Sequence, residues 1–411
     1  MNHHAVLTDA VRKYSDAMVD LTRRLVSIPT ENPPGRCYAQ AREVILRELK
    51  DLGFENTEVA GDCILSFSGQ GERTLYFSGH YDVVPAQSGE QFDPIVKGTN
   101  LFGRGSSDMK GGLAAMIYAA KALRDCGAPL DGRIGLVFVP DEETAGPRGS
   151  RYLVELGLLG RNAIGMLTPE PTGGVVWNAN RGAVTLKLKV KGKSAHVGRQ
   201  TEGVNAFERM FVVAQSLIEL KREVETRTTG FHATPHAIRR SILMLGGQVE
   251  SGSNFNVVPE SCSLTVDRRI NPEENFAEEK RRLLSLLDQP DLAVEILQEG
   301  ESAGTSEDTL LAKALAHSVE QVTGRPAQFE LCPGLLETRF YAQRGIPAFA
   351  YGPGLLTVSH GPNEFVPIER IIQCAAIYAL TAVGILAADS ALDPRAHAWG
   401  LNQSGVYKPQ A

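Results

Sequence analysis

Apolar runs of strand length recur along this chain, and several end on a side chain that can bind a metal or move a proton. Thr74–Gly79 (TLYFSG) stops at His80-Tyr81-Asp82, Gly135–Pro140 (GLVFVP) at Asp141-Glu142-Glu143, and Ile164–Pro169 (IGMLTP) at Glu170. Much later Ile346–Tyr351 leads through a glycine loop to Ser359-His360-Gly361-Pro362-Asn363-Glu364. Between these runs the apolar spacing is helical. Residues 9–52 read as helix, interrupted at Pro29 and Pro33-Pro34, and 113–126 read as an alanine-rich helix. Alternating strand and helix as far as Glu170 predicts an α/β fold with a mixed, mostly parallel sheet flanked by helices. In such open sheets ligands bind outside the carboxyl ends of the strands.

From Arg181 the rhythm changes. Ala183–Val190 alternates as a half-buried strand and 205–221 is helical; 241–246 and 261–268 are strands, 274–287 is helical and 292–297 is a last strand. The order strand-helix-strand-strand-helix-strand predicts a ferredoxin-like α+β unit inserted into the first fold. The expected boundaries are 1–180 for the first part of a catalytic domain, 181–301 for the insertion and 302–411 for the return. A chain of 411 residues exceeds one typical core, which also favours two domains.

The candidate chemistry sits in the strand-end segments. His80 and Asp82 are two residues apart and share one face of extended chain, so His80 can bind a metal through one ring nitrogen while Asp82 takes the proton of the other. Asp108, in GRGSSDMKGG, precedes a helix inside a glycine-rich loop where a carboxylate can bridge two cations. Glu142 and Glu143 are adjacent and point to different sides, which suits one as general base and the other as ligand. Two nucleotide readings fail. No third glycine follows Gly103-Arg104-Gly105 at dinucleotide spacing, and Gly192-Lys193-Ser194 has Lys187 where a P-loop requires glycine.

Taken in order, HYDVVP, GRGSSDMKGG, DEETAG, EPT, NVVP, the Asp267-x-Arg269-x-x-Pro272 pattern and SHGPNE resemble the M20 metallopeptidases, the group of acetylornithine deacetylase, succinyl-diaminopimelate desuccinylase, aminoacylase and carboxypeptidase G2. The resemblance implies a zinc-aminopeptidase-like catalytic domain and an inserted lid and dimerisation domain. It implies one metal held by His80 and Glu170, the other by Glu143 and His360, and Asp108 bridging both. Zinc is the expected ion, with cobalt or manganese as substitutes. Asp82 would orient His80, and Glu142 would be the acid/base for a hydroxide shared by the two metals. His196 would reach the oxyanion, in cis or across a homodimer. Gln200 departs from the family, standing where relatives commonly have proline.

Arg269 is expected to anchor a substrate carboxylate through its guanidinium fork; on the bare residues it reads equally as a strand-end arginine in an ion pair. Asn256 and Arg339 are further substrate-binding candidates, the latter in Glu337-Thr338-Arg339 where relatives show Asp-x-Arg. With residues on both domains, a hinge near 180 and 301 would close the site against water. The expected activity is removal of the acyl group from an N-acyl amino acid or related small amide. A metallo-dipeptidase or carboxypeptidase is the alternative, and a non-catalytic metal-binding assembly protein the third reading.

Composition narrows the partners. A 43% hydrophobic and 22% charged chain is that of an ordinary globular protein, and a net charge of -6 with dispersed Lys and Arg offers no footprint for nucleic acid or an anionic membrane. No apolar segment is expected to span a bilayer. The cysteines, Cys37, Cys63, Cys126, Cys262, Cys332 and Cys374, show no CxxC pairing and predict free thiols in a reducing cytoplasm. His3 and His4 are expected as terminal residues and not ligands.

Overall fold

The computed structural model describes residues 3–387. The chain divides into two compact units. One comprises Met1–Asn178, Gly304–Glu330 and Glu337–Ala411, the other Ala179–Ala303 with Leu331–Leu336. The part of the expected returning segment 302–411 that covers 388–411 lies outside the described residues.

In the first unit, helices His3–Arg12, Ser15–Val26 and Tyr38–Asp51 precede the sheet. The second buries Met18, Leu21, Thr22, Leu25 and Val26, a stripe at helical spacing, and stops ahead of Pro29. Strands follow in the spatial order Asn56–Ala60, Cys63–Gln70, Gly132–Val139, Thr74–His80, Ala163–Thr168, Ala348–Ala350 and Val176–Asn180. The four from Gly132–Val139 to Ala348–Ala350 run parallel, with His80 opposite Val139 and Ala350 opposite Thr168. The outer strands are antiparallel.

Both faces of this sheet are covered, which is why Thr74–His80 is buried along its whole length. Leu75, Phe77, Ile134, Leu136 and Phe138 face a core shared with helices Gly111–Asp125, Leu310–Thr323 and Ile368–Leu386. The alternate residues Tyr76, Val137 and Val139 face a second core with Leu153 and Tyr341. Helix Ile368–Leu386 is long and apolar enough to cross a membrane by length and composition alone, but it is packed as a core helix. Its mean hydropathy over 18 residues is 1.5, and 61% of that stretch is buried. Ile371, Cys374, Ala375, Tyr378 and Leu386 spend its apolar surface on the core.

The second unit has its own core, in which Val184, Leu186, Leu188 and Val190 alternate inward. Its strands lie in the order Ile242–Ser251, Ser261–Ile270, Gly182–Lys191 and Leu292–Gly300, all antiparallel, with helices Ala206–Val224 and Phe276–Leu286 between them in sequence. This is the ferredoxin-like order. Side chains of Asn205 and Asn275 cap the two helices, accepting from the N–H groups of Phe207 and Glu208 and of Glu278.

One backbone approach fixes a strand end. A Cβ on Gly352 would stand 2.2 Å from the carbonyl oxygens of both Pro169 and Glu170. Substituting Gly352→Ala must push main chain against main chain, and we expect a loss of about 1–3 kcal/mol of unfolding free energy. Urea denaturation checks it; an unchanged midpoint would show that the Glu170 turn is not tightly seated.

Candidate metal centre

Four neighbouring parallel strands end at one edge, and that edge receives most of the candidate residues. His80 is the last residue of its strand; Glu142 and Glu143 follow Val139, and Glu170 follows Thr168. The loop after Ala350 brings His360, whose backbone is left-handed at φ 64°. Asp108 arrives from the tight turn Ser106–Lys110 that opens the helix Gly111–Asp125.

Two ligand groups result. Donor atoms of His80, Asp108 and Glu170 lie within 4.8 Å of one another, as do those of Asp108, Glu143 and His360. His80 Nε2 is 3.3 Å from Asp108 Oδ1, while His360 Nε2 is 3.3 Å from Asp108 Oδ2 and 3.4 Å from Glu143 Oε2. Asp108 thus offers one oxygen to each side.

The electrostatics of this cluster call for positive charge. Burial pushes the Glu143 carboxyl up to about 7 and Glu170 well above the carboxylate range. Burial opposes a charged His80, yet Asp108 and Asp82 outweigh it and hold its pKa well above the usual value. Asp108, followed by Glu143, raises His360 to about 10. Asp108 stays well below the ordinary range because the two imidazoles offset its desolvation. Asp108 Oδ1, Glu143 Oε1 and Glu170 Oε1 are buried without a well-formed hydrogen bond. Such oxygens beside two imidazoles fit a pair of divalent cations, and the mixed N and O donors suit zinc or a neighbouring transition metal.

Asp82 does more than face His80. His80 Nδ1 is 3.0 Å from the main-chain carbonyl of Asp82 and 3.3 Å from its carboxylate. That carboxylate accepts the N–H groups of Glu142 and Glu143, each at 3.2 Å. One side chain therefore aligns the histidine strand with the glutamate pair. Glu142 Oε2 lies 3.9 Å from His80 Nε2, and burial raises its carboxyl above the ordinary value, against the opposing charges of His80 and Arg339. Arg339 is buried 3.8 Å from Glu337, which burial raises to about 8 and which accepts from the Ser150 hydroxyl.

The remaining candidates belong to the inserted unit. His196 is exposed and its Nδ1 accepts from the Gly198 N–H at 3.1 Å. Its loop pairs with the loop of Asn256, whose carbonyl accepts from Val197 at 2.9 Å, so these two candidates are neighbours. Arg269 is engaged by Asp267, two residues away on the same face of its strand, at 2.9 Å. The ion-pair reading of Arg269 therefore describes this conformation.

Some residues at the site escaped the sequence reading. Asn32 Nδ2 donates to Asp82 at 2.9 Å and to Asp141 and Thr144 at 3.1 Å. It lies in a proline-rich turn and not at a strand end, so no apolar run points to it. Arg104 and Glu364 form a buried pair between the Asp108 and His360 loops. The signal for them was opposite charge, four residues before Asp108 and four after His360.

A parallel sheet whose carboxyl edge gathers imidazoles and under-bonded carboxylates is the framework of a di-metal hydrolase. The model of peptidase family M20/M25/M40 matches residues 76–383, and the chain belongs to that family. It is accordingly a hydrolase of amide or peptide bonds, which sets aside the non-catalytic assembly reading.

Solved structures share the fold. A metallo-carboxypeptidase of the M20 family from Sulfolobus solfataricus aligns with a TM-score of 0.76 at 17% identity over 90% of this chain and 99% of its own. A dipeptidase of Saccharomyces cerevisiae gives 0.74 at 16% over 93% and 99%. A dinuclear metal-binding peptidase of Bacillus subtilis gives 0.65 at 16% over 91% and 99%.

Removing the Asn32 amide leaves buried carboxylates short of a donor. Asn32→Ala is expected to cost about 1–3 kcal/mol of stability in chemical denaturation. A change within about 0.5 kcal/mol, the range of an ordinary surface substitution, would show that Asp82 and Asp141 do not depend on it.

Proposed function

We propose that this chain is a di-metal amidohydrolase that removes the acyl group from an N-acyl amino acid or related small amide. The observation that carries the reading is the set of buried, under-bonded oxygens on Asp108, Glu143 and Glu170 beside His80 and His360. His80, Asp108 and Glu170 would hold one ion and Asp108, Glu143 and His360 the other, with zinc the expected metal and cobalt or manganese as substitutes. Bound there, the ions supply water activation and polarisation of the scissile carbonyl.

The chain's own residues do the rest. Glu142, its carboxyl raised by burial, takes a proton from the attacking water and returns it to the departing amine. Asp82, through its carboxylate and its own main-chain carbonyl, faces His80 Nδ1 and would hold its proton there, leaving Nε2 as the atom that would ligate. His196, with Asn256 next to it, is assigned to the oxyanion, where a positioned donor stabilises developing charge. Arg269 is assigned to the substrate carboxylate, which would replace Asp267 as its partner, and buried Arg339 to the same pocket. The inserted unit, 181–301 by the sequence boundaries, is inferred to act as a lid. Exposed Phe207, Phe211, Val212 and Ile218 on its helix support a role as a homodimer surface. The six free cysteines support a reducing, cytoplasmic setting.

Peptide hydrolysis by the same machinery is the second reading, favoured by the carboxypeptidase and dipeptidase among the similar structures. A panel of N-acetyl, N-succinyl, N-formyl and N-carbamoyl amino acids and of dipeptides, assayed with zinc and with a chelator, separates the two. Faster turnover of acyl amino acids supports the first reading and faster dipeptide cleavage the second.

Glu142→Gln should keep the metals and lose about 100- to 10,000-fold in rate. Wild-type speed would remove Glu142 from its role. Asp108→Ala should lose the metals, which elemental analysis reads. Sedimentation should give a dimer that Phe211→Glu converts to monomer; a monomeric wild type would contradict the dimer.

A further inference from the structure

Arg104 and Glu364 have no part in the roles assigned so far, yet each is 1% exposed and they meet at 2.6 Å. Glu364 Oε1 accepts the main-chain N–H groups of Ser107 at 3.0 Å and Asp108 at 3.1 Å. Its carbonyl accepts from Gly103 at 3.0 Å. In the other direction, Arg104 Nη2 donates to the carbonyl of His360 at 3.2 Å. The side chains of Gln87 and Gln91 add bonds to the carbonyls of His360 and Gly361, at 3.1 and 3.0 Å. Each member of the pair thus grips the loop of the other: the carboxylate holds the backbone of Asp108, and the guanidinium holds the backbone of His360.

Burial of two charges is a poor way to gain stability, since apolar residues of the same size often do as well. What an ion pair adds is direction. His360 needs it, because its backbone is left-handed at φ 64° and its side chain is 50% exposed, so packing does not hold it. His80 and Glu170 are delivered differently, at and just beyond the ends of hydrogen-bonded strands, and do not depend on this pair.

We propose that the Arg104–Glu364 pair is a positioning device that sets the affinity of the cation site formed by Asp108, Glu143 and His360 without ligating it. The inference rests on the two-cation reading above. The pair fixes how Asp108 Oδ2 and His360 Nε2 face each other; its loss frees the His360 loop, whereas the other site keeps His80 and Glu170 set by their strands and shares only Asp108 with the pair.

The test is a zinc titration of the full chain after chelation, by competition with a chromophoric chelator, on wild type, Glu364→Gln, Arg104→Met and the double variant. Wild type should take up two equivalents. The variants should bind the second equivalent about 10- to 100-fold more weakly, the usual reach of residues behind a ligand, and the first, which shares only Asp108 with the pair, should weaken clearly less. The double variant should fall short of the product of the two single effects, because both singles already lose the bond the pair shares. Arg104→Lys, which keeps the charge and loses the fork whose two nitrogens reach Glu364 and His360 separately, guards against misfolding and should weaken mainly the second equivalent. Two equivalents at wild-type affinity in every variant would overturn the proposal. Equal weakening of both, which general loosening would give, would also overturn it. A wild type that binds fewer than two equivalents would overturn the two-cation reading itself, and the proposal with it.

Discussion

The constraint on which this structure depends is the crowding of carboxylates at one edge of a buried sheet. Asp82, Asp108, Glu142, Glu143 and Glu170 converge there around the imidazoles of His80 and His360. Two like charges about 4 Å apart repel by about 4 kcal/mol at an effective dielectric near 20, and several such pairs exceed what a domain can absorb from its marginal stability. The raised carboxyls of Glu143 and Glu170 and the raised imidazoles express that strain. Cations relieve it where protons only postpone it. The fold is therefore arranged to hold an electrostatic demand that a metal pair meets.

Several features keep that demand in place. Parallel strands set His80, the Glu142–Glu143 pair and Glu170 side by side, because their register is fixed by hydrogen bonds and by cores on both faces. Asp82 spends its oxygens on main-chain N–H groups of the glutamate pair, so one carboxylate ties that pair to the histidine strand. Where strands give no support, at Asp108 and His360, a buried ion pair and side-chain amides take over. Regular structure places one half of the site and side-chain bonding the other.

That division also explains what could be read from the chain. His80, Glu142, Glu143 and Glu170 could be picked out because a continuous apolar run of strand length, stopping at a polar residue, is a local signal. The ferredoxin-like order was legible for the same reason. The short strands Ile95–Lys97, Asn100–Phe102 and Phe365–Pro367 were not, since each is only three residues long and the pairing of Asn100–Phe102 with Phe365–Pro367 spans more than 260 residues. Asn32 and the Arg104–Glu364 pair were hidden because their partners are distant in sequence. Arg269 carries two signals at once. Its companion Asp267 sits two residues away on the same face, so the ion pair was written locally, but the motif pointed to a substrate. What buries the apolar helix Ile368–Leu386 was also not legible, because composition does not name its packing partners.

The most direct test of the account is anomalous X-ray diffraction at the zinc edge from crystals of the zinc-loaded protein. The account predicts two peaks, one among His80, Asp108 and Glu170 and one among Asp108, Glu143 and His360, with Asp108 in contact with both. A single peak, or peaks that leave Asp108 without a metal contact, would contradict it.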